Sequence, residues 1–207
     1  MAETRQARSR RGILRGAAIL AGLAALGGGT RPAGARIVRM RRTTGMTAYD
    51  LSFTSIEETP LPLAAFRGKP LLVVNTASFC GYTPQYAGLE RLWESYRGRG
   101  LVVIGVPSND FGQQEPGSNR EIRAFCDTFA VSFPLSRRET VIGRDAHPFY
   151  RWVAAELGEG ALPRWNFHKY LTDRTGALVG SWPSQVEPMA EEIRHAVEAS
   201  LAGAASS

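Results

Sequence analysis

Residues 70–106 read PLLVVNTASFCGYTPQYAGLERLWESYRGRGLVVIGV. Two short apolar, β-branched runs stand at the ends, Pro70 to Asn75 and Leu101 to Val106. Such runs are typical of strands buried on both faces. The stretch between them carries helix signals. Thr83 can cap the N-terminus and Pro84 suits the first helical position. Leu89, Leu92, Trp93 and Tyr96 then fall on one face at helical spacing, and Gly98 and Gly100 close the segment. Strand, helix and strand in this order predict a crossover unit with its two strands parallel.

The flanking sequence extends this pattern. Ala48 to Ile56 alternates loosely, as an N-terminal strand or hairpin would. Ser118-Asn119-Arg120-Glu121 forms a capping box ahead of a helix whose apolar face is Ile122, Phe125, Cys126 and Phe129. Pro148 to Leu157 reads as a third helix. Lys169 to Thr172 and Leu178 to Trp182 flank Asp173-Arg174-Thr175-Gly176 as a hairpin would, and Glu187 to Leu201 reads as a final amphipathic helix. The expectation is an α/β protein with a thioredoxin-like fold, a central mixed sheet flanked by helices.

The formal charge of +6 is concentrated at one end. Residues 1–35 hold six Arg and a single Glu, and Arg36, Arg39, Arg41 and Arg42 follow. The remainder carries more acidic than basic residues, so a nucleic-acid-binding face on the domain is not expected. Ordinary Gly and Pro counts with clear apolar runs exclude a wholly disordered or collagen-like chain. Only two cysteines occur, Cys80 and Cys126, which excludes a disulfide scaffold and a Cys-rich zinc or iron–sulfur site. Arg10-Arg11, a weakly apolar stretch from Gly16 to Gly29 and the small-residue site Ala33-Gly34-Ala35 follow one another in signal-peptide order. The apolar stretch is too short to span a bilayer as a helix. The arginine pair resembles a twin-arginine export signal, which implies a folded passenger working in the periplasm. A start at Met46 would instead leave a cytoplasmic protein. The expected organisation is a signal peptide over 1–35, a linker over 36–47, one domain over 48–201 and a tail over 202–207.

Cys80 lies after the first buried strand and about one turn before the helix. Free N–H groups and partial positive charge at a helix N-terminus stabilise a thiolate. On this placement alone, a reactive thiol and an ordinary loop cysteine both remain open. No second Cys lies within four positions, which argues against a Cys-x-x-Cys redox pair.

Three motifs occur in order: Val73-Val74-Asn75-Thr76-Ala77-Ser78-x-Cys80-Gly81, Phe111-Gly112-x-Gln114-Glu115-Pro116-Gly117-Ser118-Asn119 and Trp165-Asn166-Phe167. Together they resemble the glutathione peroxidase family, over about Ala48 to Leu201. The resemblance implies reduction of hydroperoxides, with Cys80, Gln114, Trp165 and Asn166 forming the active site. Many members carry selenocysteine where this chain has Cys80, so it is similar to the Cys-type branch, whose usual electron donor is thioredoxin and not glutathione. No bound cofactor or metal is implied, since the thiol reductant is a co-substrate.

The chemistry sets demands on the neighbours. Lowering a thiol's pKa from about 8.5 to about 6 raises the thiolate fraction at pH 7 by about thirtyfold. Nucleophilicity falls by roughly tenfold over the same range. Ionisation alone therefore yields a few-fold gain. The larger contribution must come from stabilising charge on the departing oxygen and supplying its proton. The carboxamides of Gln114 and Asn166 and the indole N–H of Trp165 can donate hydrogen bonds, but none is a good acid. The proton is expected from water or from the thiol itself.

A Cys80 sulfenic acid needs a second thiol to resolve it, and Cys126 is the internal candidate. Its place on an apolar helix face also suits a small packed hydrophobe. Its position ahead of Val131-Ser132-Phe133-Pro134 resembles that of the resolving Cys in thioredoxin-dependent relatives. Resolution would require the helix near Cys126 to unwind, because disulfide Cα atoms must come within about 7 Å. The chain also departs from the family pattern. Ser108-Asn109-Asp110-Phe111 replaces the usual Cys-Asn-Gln-Phe, and Phe79 stands where Lys is common. Asp110 is expected to disfavour the thiolate or tune substrate choice. The short segment from Ser136 to Trp165 is similar to members lacking the tetramer-associated loop, which implies a monomer or weak dimer with a site open to bulky, including lipid, hydroperoxides. Two rival readings are a peroxide sensor relaying oxidation to a partner protein, and a binding module with an idle cysteine.

Overall fold

A computed structural model of the chain describes residues 44–203. The expected signal peptide, most of the linker and the last four residues of the tail lie outside them. Six strands and four α-helices form in the order β1 (Ser52–Thr54), β2 (Pro60–Pro62), β3 (Leu71–Thr76), α1 (Gln85–Tyr96), β4 (Val102–Pro107), α2 (Asn119–Asp127), α3 (Pro148–Leu157), β5 (Lys169–Thr172), β6 (Leu178–Trp182) and α4 (Glu191–Ala202). The main sheet has the order β4-β3-β5-β6. β3 and β4 are parallel, as the crossover requires, and β3–β5 and β5–β6 are antiparallel. The fold is thioredoxin-like, a mixed sheet between two helical layers.

Alternation along the strands separates two apolar layers. Leu72 and Val74 of β3 and Val103 of β4 pack with Leu89, Leu92, Ile122 and Val197. Leu71 and Val73 face the opposite side with Val102, Ile104, Phe149, Tyr150 and Val153. Every residue of β3 and β4 is buried, which accounts for their lack of polar alternation.

The structure corrects several local expectations. Residues 48–50 form a 3₁₀ turn, not a strand, and only Ser52–Thr54 pairs with Pro60–Pro62. Thr47, the last residue of the expected linker, is buried, and its amide and hydroxyl donate to Asp50 Oδ2 at 2.8 and 2.9 Å. Nearby, Gly176 (φ +79°) lies so close to the Tyr49 ring that a Cβ would meet it at 2.7 Å. α1 begins at Gln85 because Thr83 spends its hydroxyl on the preceding loop. α4 begins at Glu191 and not Glu187. The amides of Val186 and Ala190 just ahead of it close turns onto Pro183 and Glu187. The Ser118 capping box forms as expected, with the hydroxyl accepting from the Glu121 amide. Among the described residues no helix is long and apolar enough to cross a membrane.

Candidate active site

Three chain segments meet at one edge of the sheet, and strand direction is the reason. The parallel strands β3 and β4 both release their chains at this edge, into the loops bearing Cys80 and Gln114. β5 runs antiparallel to β3, so its N-terminal end and the preceding Trp165-Asn166-Phe167 arrive at the same edge.

Asn75, the last residue but one of β3, ties two of these segments together. Its carboxamide nitrogen donates to the Trp165 carbonyl at 3.1 Å, and its Oδ1 accepts from the His168 amide at 3.0 Å. Its main-chain carbonyl accepts from the Phe167 amide at 2.6 Å. Lys169 adds a second brace. Its Nζ, wholly buried, donates to Gln85 Oε1 at 2.6 Å and to the Phe167 carbonyl at 2.8 Å. Burial lowers its pKa to about 7, against a weak opposing pull from Glu187.

Asn166 is fully buried and donates from Nδ2 to Gln114 Oε1 at 2.9 Å. The Gln114 carbonyl accepts from the amide of Phe79, the residue before Cys80, at 3.0 Å. Gln113 and Phe167, neighbours of the two carboxamides, hold left-handed backbone at φ +53° and +65°. Strain of this kind persists where the surroundings over-determine the chain, and it concentrates at functional sites. Trp165 is half-exposed at the rim, its ring centroid 5.9 Å from that of Phe111.

The Cys80 loop is held by its own hydrogen bonds. Thr83 Oγ1 accepts from the Cys80 amide at 3.0 Å and donates to the Ala77 carbonyl at 3.0 Å. Cys80 Sγ accepts from the Tyr82 amide at 3.4 Å, and the residue keeps 8% of its surface exposed. The donor is a main-chain amide in the turn that leads into α1. The Tyr82 amide is thus the observed hydrogen-bond donor to the sulfur. Gln114 and Asn166 bond one another, and Trp165 precedes Asn166 in sequence.

Cys126 lies in the last turn of α2, with no exposed surface. Burial raises its thiol pKa to about 11, despite the Tyr86 hydroxyl and the Arg123 guanidinium, which lower it. Both cysteines are free thiols. Phe79, 66% exposed, meets Phe125 with ring centroids 6.2 Å apart, so the residues preceding the two cysteines touch. A cavity of about 410 Å³ opens there, lined by Ser78, Phe79, Glu115, Glu121, Ile122 and Phe125 among others.

Asp110 has a structural role that the sequence did not reveal. Its Oδ2 accepts from the amides of Val141 and Ile142 at 2.6 and 3.2 Å, anchoring the segment before α3. Sequence reasoning also missed the brace of Lys169 and the burial of Glu115, which is 1% exposed. Among the described residues no three His, Cys, Asp or Glu converge as metal ligands would.

The glutathione peroxidase family profile matches residues 48–154. A hydroperoxy fatty acid reductase of Synechocystis is 42% identical over 161 residues, covering 73% of this chain and 94% of its own. A glutathione peroxidase-like peroxiredoxin of Schizosaccharomyces pombe is 40% identical, covering 74% and 98%. The crystal structure of Trgpx in its apo form superposes with a TM-score of 0.63 at 33% identity, covering 77% of this chain and 97% of that one.

Proposed function

We propose a reaction for this chain from one premise: it belongs to the glutathione peroxidase family. It is a peroxidase, an oxidoreductase that reduces hydroperoxides. The observation that carries the detailed reading is the joining of the Cys80 loop to the Gln114 main chain, and of the Gln114 carboxamide to that of Asn166, at one sheet edge. Cys80 as thiolate attacks the terminal oxygen of ROOH. The S–O bond forms with the sulfur's electron pair, the O–O bond breaks, and RO⁻ departs to take up a proton as ROH. Sulfur is oxidised to the sulfenic acid and the peroxide is reduced.

The site residues divide the work. The Tyr82 amide holds the sulfur before attack. Gln114, Asn166 and Trp165 supply N–H donors to the oxygen on which negative charge develops, the stabilisation that ionisation alone cannot provide. Asn75 and Lys169 hold the Trp165–Phe167 segment in register with the thiol loop. Fixed donors of this kind contribute about 10²–10³ in rate where one has been removed. We expect Gln114→Ala and Asn166→Ala each to slow single-turnover peroxide reaction by about tenfold to a hundredfold, and Trp165→Phe by less, because its indole is half in water. Stopped-flow tryptophan fluorescence, or competition kinetics for Trp165→Phe, measures this. Rates within twofold of the unsubstituted protein would remove these side chains from the mechanism.

Cys126 then resolves the sulfenic acid, and a thioredoxin-like protein reduces the resulting disulfide. The burial of Cys126 in α2 supports the expectation that the end of this helix unwinds, since the thiol is presented to no solvent. The name of the Schizosaccharomyces pombe relative, a peroxiredoxin, favours a protein dithiol over glutathione as donor. Phe79, Phe125 and Trp165 give the rim an apolar character that suits organic and fatty acid hydroperoxides beside hydrogen peroxide. A monomer or weak dimer fits this open rim.

From the twin-arginine-like leader we infer export of the folded enzyme to the periplasm. Its N-terminal residue should then lie just beyond Ala35. N-terminal sequencing of the protein from its native cell reads this directly, and Met46 at the mature end would assign it to the cytoplasm.

A further inference from the structure

Cys126 sits at the weaker end of its helix. α2 has nine residues, too few to be stable alone, so packing keeps it folded. Just beyond it Ala130 holds left-handed backbone at φ +54°, a conformation that a residue with a Cβ disfavours. The amides of Phe129 and Val131 close the last turn onto the Cys126 carbonyl, and Arg123 bonds Asp127 at 2.7 Å and the Val131 carbonyl at 2.8 Å. The chain is anchored on either side of this turn. Ile122 is buried in the core, and the Ser132 amide donates to Glu90 Oε2 of α1 at 2.8 Å. The segment that must open to release Cys126 therefore runs from about Phe125 to Val131.

Phe79 reaches across to that segment. A phenyl ring that is 66% exposed gains little from its own burial, yet this one has a specific neighbour. Its centroid lies 6.2 Å from that of Phe125, with the rings tilted at 47°. Phe125 in turn meets Phe129 at 5.5 Å, and Phe129 meets Tyr86 of α1 at 5.7 Å. Cys126 thus lies between two members of an aromatic chain that begins at the residue before Cys80. The base of the Phe79 ring is fixed independently, because its main-chain amide donates to the Gln114 carbonyl at 3.0 Å. Both Phe79 and Phe125 line the cavity of about 410 Å³, so on this side the thiol loop and α2 face each other across open space.

We propose that Phe79 is a positioning residue for the second step of the reaction: its ring, seated on Phe125, holds the Cys126 end of α2 folded, and release of that contact limits how fast Cys126 reaches oxidised Cys80. This rests on the reading that Cys126 resolves Cys80. In that step the Cys126 S–H bond breaks and its sulfur attacks Cys80 sulfur. The S–S bond forms, the S–O bond of the sulfenic acid breaks, and hydroxide leaves as water with the thiol proton. Cys80 sulfur is reduced and Cys126 sulfur is oxidised. The clasp also sets a competition. While Cys126 is held, a second hydrogen peroxide can oxidise the waiting sulfenic acid to the sulfinic acid, its O–O bond breaking and water leaving.

The experiment is a single turnover with one equivalent of hydrogen peroxide, in which acid-quenched mass spectrometry follows the Cys80–Cys126 disulfide after the sulfenic acid has formed. An aromatic pair contributes beyond the area it buries, so Phe79→Ala should speed this phase by about twofold to tenfold. Phe79→Tyr keeps the ring and should restore the original rate. Adding Phe79→Ala to Phe125→Ala should bring no further gain, as a single shared contact requires. In the reduced protein, amide hydrogen exchange over residues 125–131 should quicken in Phe79→Ala by the same factor. Under excess hydrogen peroxide the yield of Cys80 sulfinic acid should fall in this variant. An unchanged disulfide rate in Phe79→Ala, or the same gain with and without the Phe125 ring, would overturn the proposal and leave resolution by Cys126 standing. Absence of the disulfide in the unsubstituted protein would overturn the resolving role itself, and this inference with it.

Discussion

Cys80→Ser is expected to abolish peroxide reduction, with a rate loss of at least about 10⁴. A hydroxyl is far less acidic than a thiol, so almost no alkoxide exists at neutral pH, and oxygen has no accessible counterpart of the sulfenic acid. The substitution is nearly isosteric. The Cys80 amide that donates to Thr83 is main-chain and is retained, so the loop should keep its shape. Peroxide consumption coupled to thioredoxin and its reductase provides the assay, with circular dichroism to verify folding. Residual activity above a tenth of the original would place the reacting group elsewhere. Because the loop and the Gln114–Asn166 pair would survive, the loss would belong to one atom and not to a collapsed site.

The second large effect separates two halves of the cycle. In Cys126→Ala the first equivalent of peroxide should react within about threefold of the normal rate, because the side chain lies in the core beneath α2 and not at the thiol loop. Thioredoxin-coupled steady-state turnover should fall by about a hundredfold, since the sulfenic acid has no internal thiol to meet. Continued peroxide should then carry Cys80 to the sulfinic acid, visible by intact mass. A small buried cavity from the lost sulfur costs about 1 kcal/mol, too little to unfold the domain. Full steady-state turnover in this variant would assign resolution to an external thiol. A stable sulfenic acid that passes its oxidation to a second protein would instead favour a relay.

The sheet was readable because its central strands are buried on both faces. Leu71–Val74 and Val102–Ile104 could not be solvent-facing elements, and the Ser118–Glu121 box marked a helix start that the structure reproduces. Local chemistry set those features. The failures lie where loop geometry or distant partners decide. Thr83 has the right residue type for a cap, but its hydroxyl is drawn to the carbonyl of Ala77, which only the folded loop brings near. The start of α4 shifts because residues 183–190 serve distant partners: the Ser184 carbonyl accepts from Gln85, and its hydroxyl donates to the Asn166 carbonyl. At the site, Cys80, Gln114, Trp165 and Asn166 were singled out through the family resemblance and not through spacing. The Tyr82 amide could not be read, because an amide carries no side-chain signature. Glu115 and Lys169 were equally hidden. A charged residue looks the same in sequence whether it faces water or is sealed within a core, and only three-dimensional burial moves their proton affinities toward neutrality.

Asn75 binds partners some ninety positions later in the chain. A polypeptide still leaving the ribosome therefore carries its thiol long before the segment that flanks it has been synthesised. On the proposed mechanism, the sulfur lacks its oxyanion donors during that interval. Peroxide turnover in a growing culture is then expected to report finished molecules and not nascent ones.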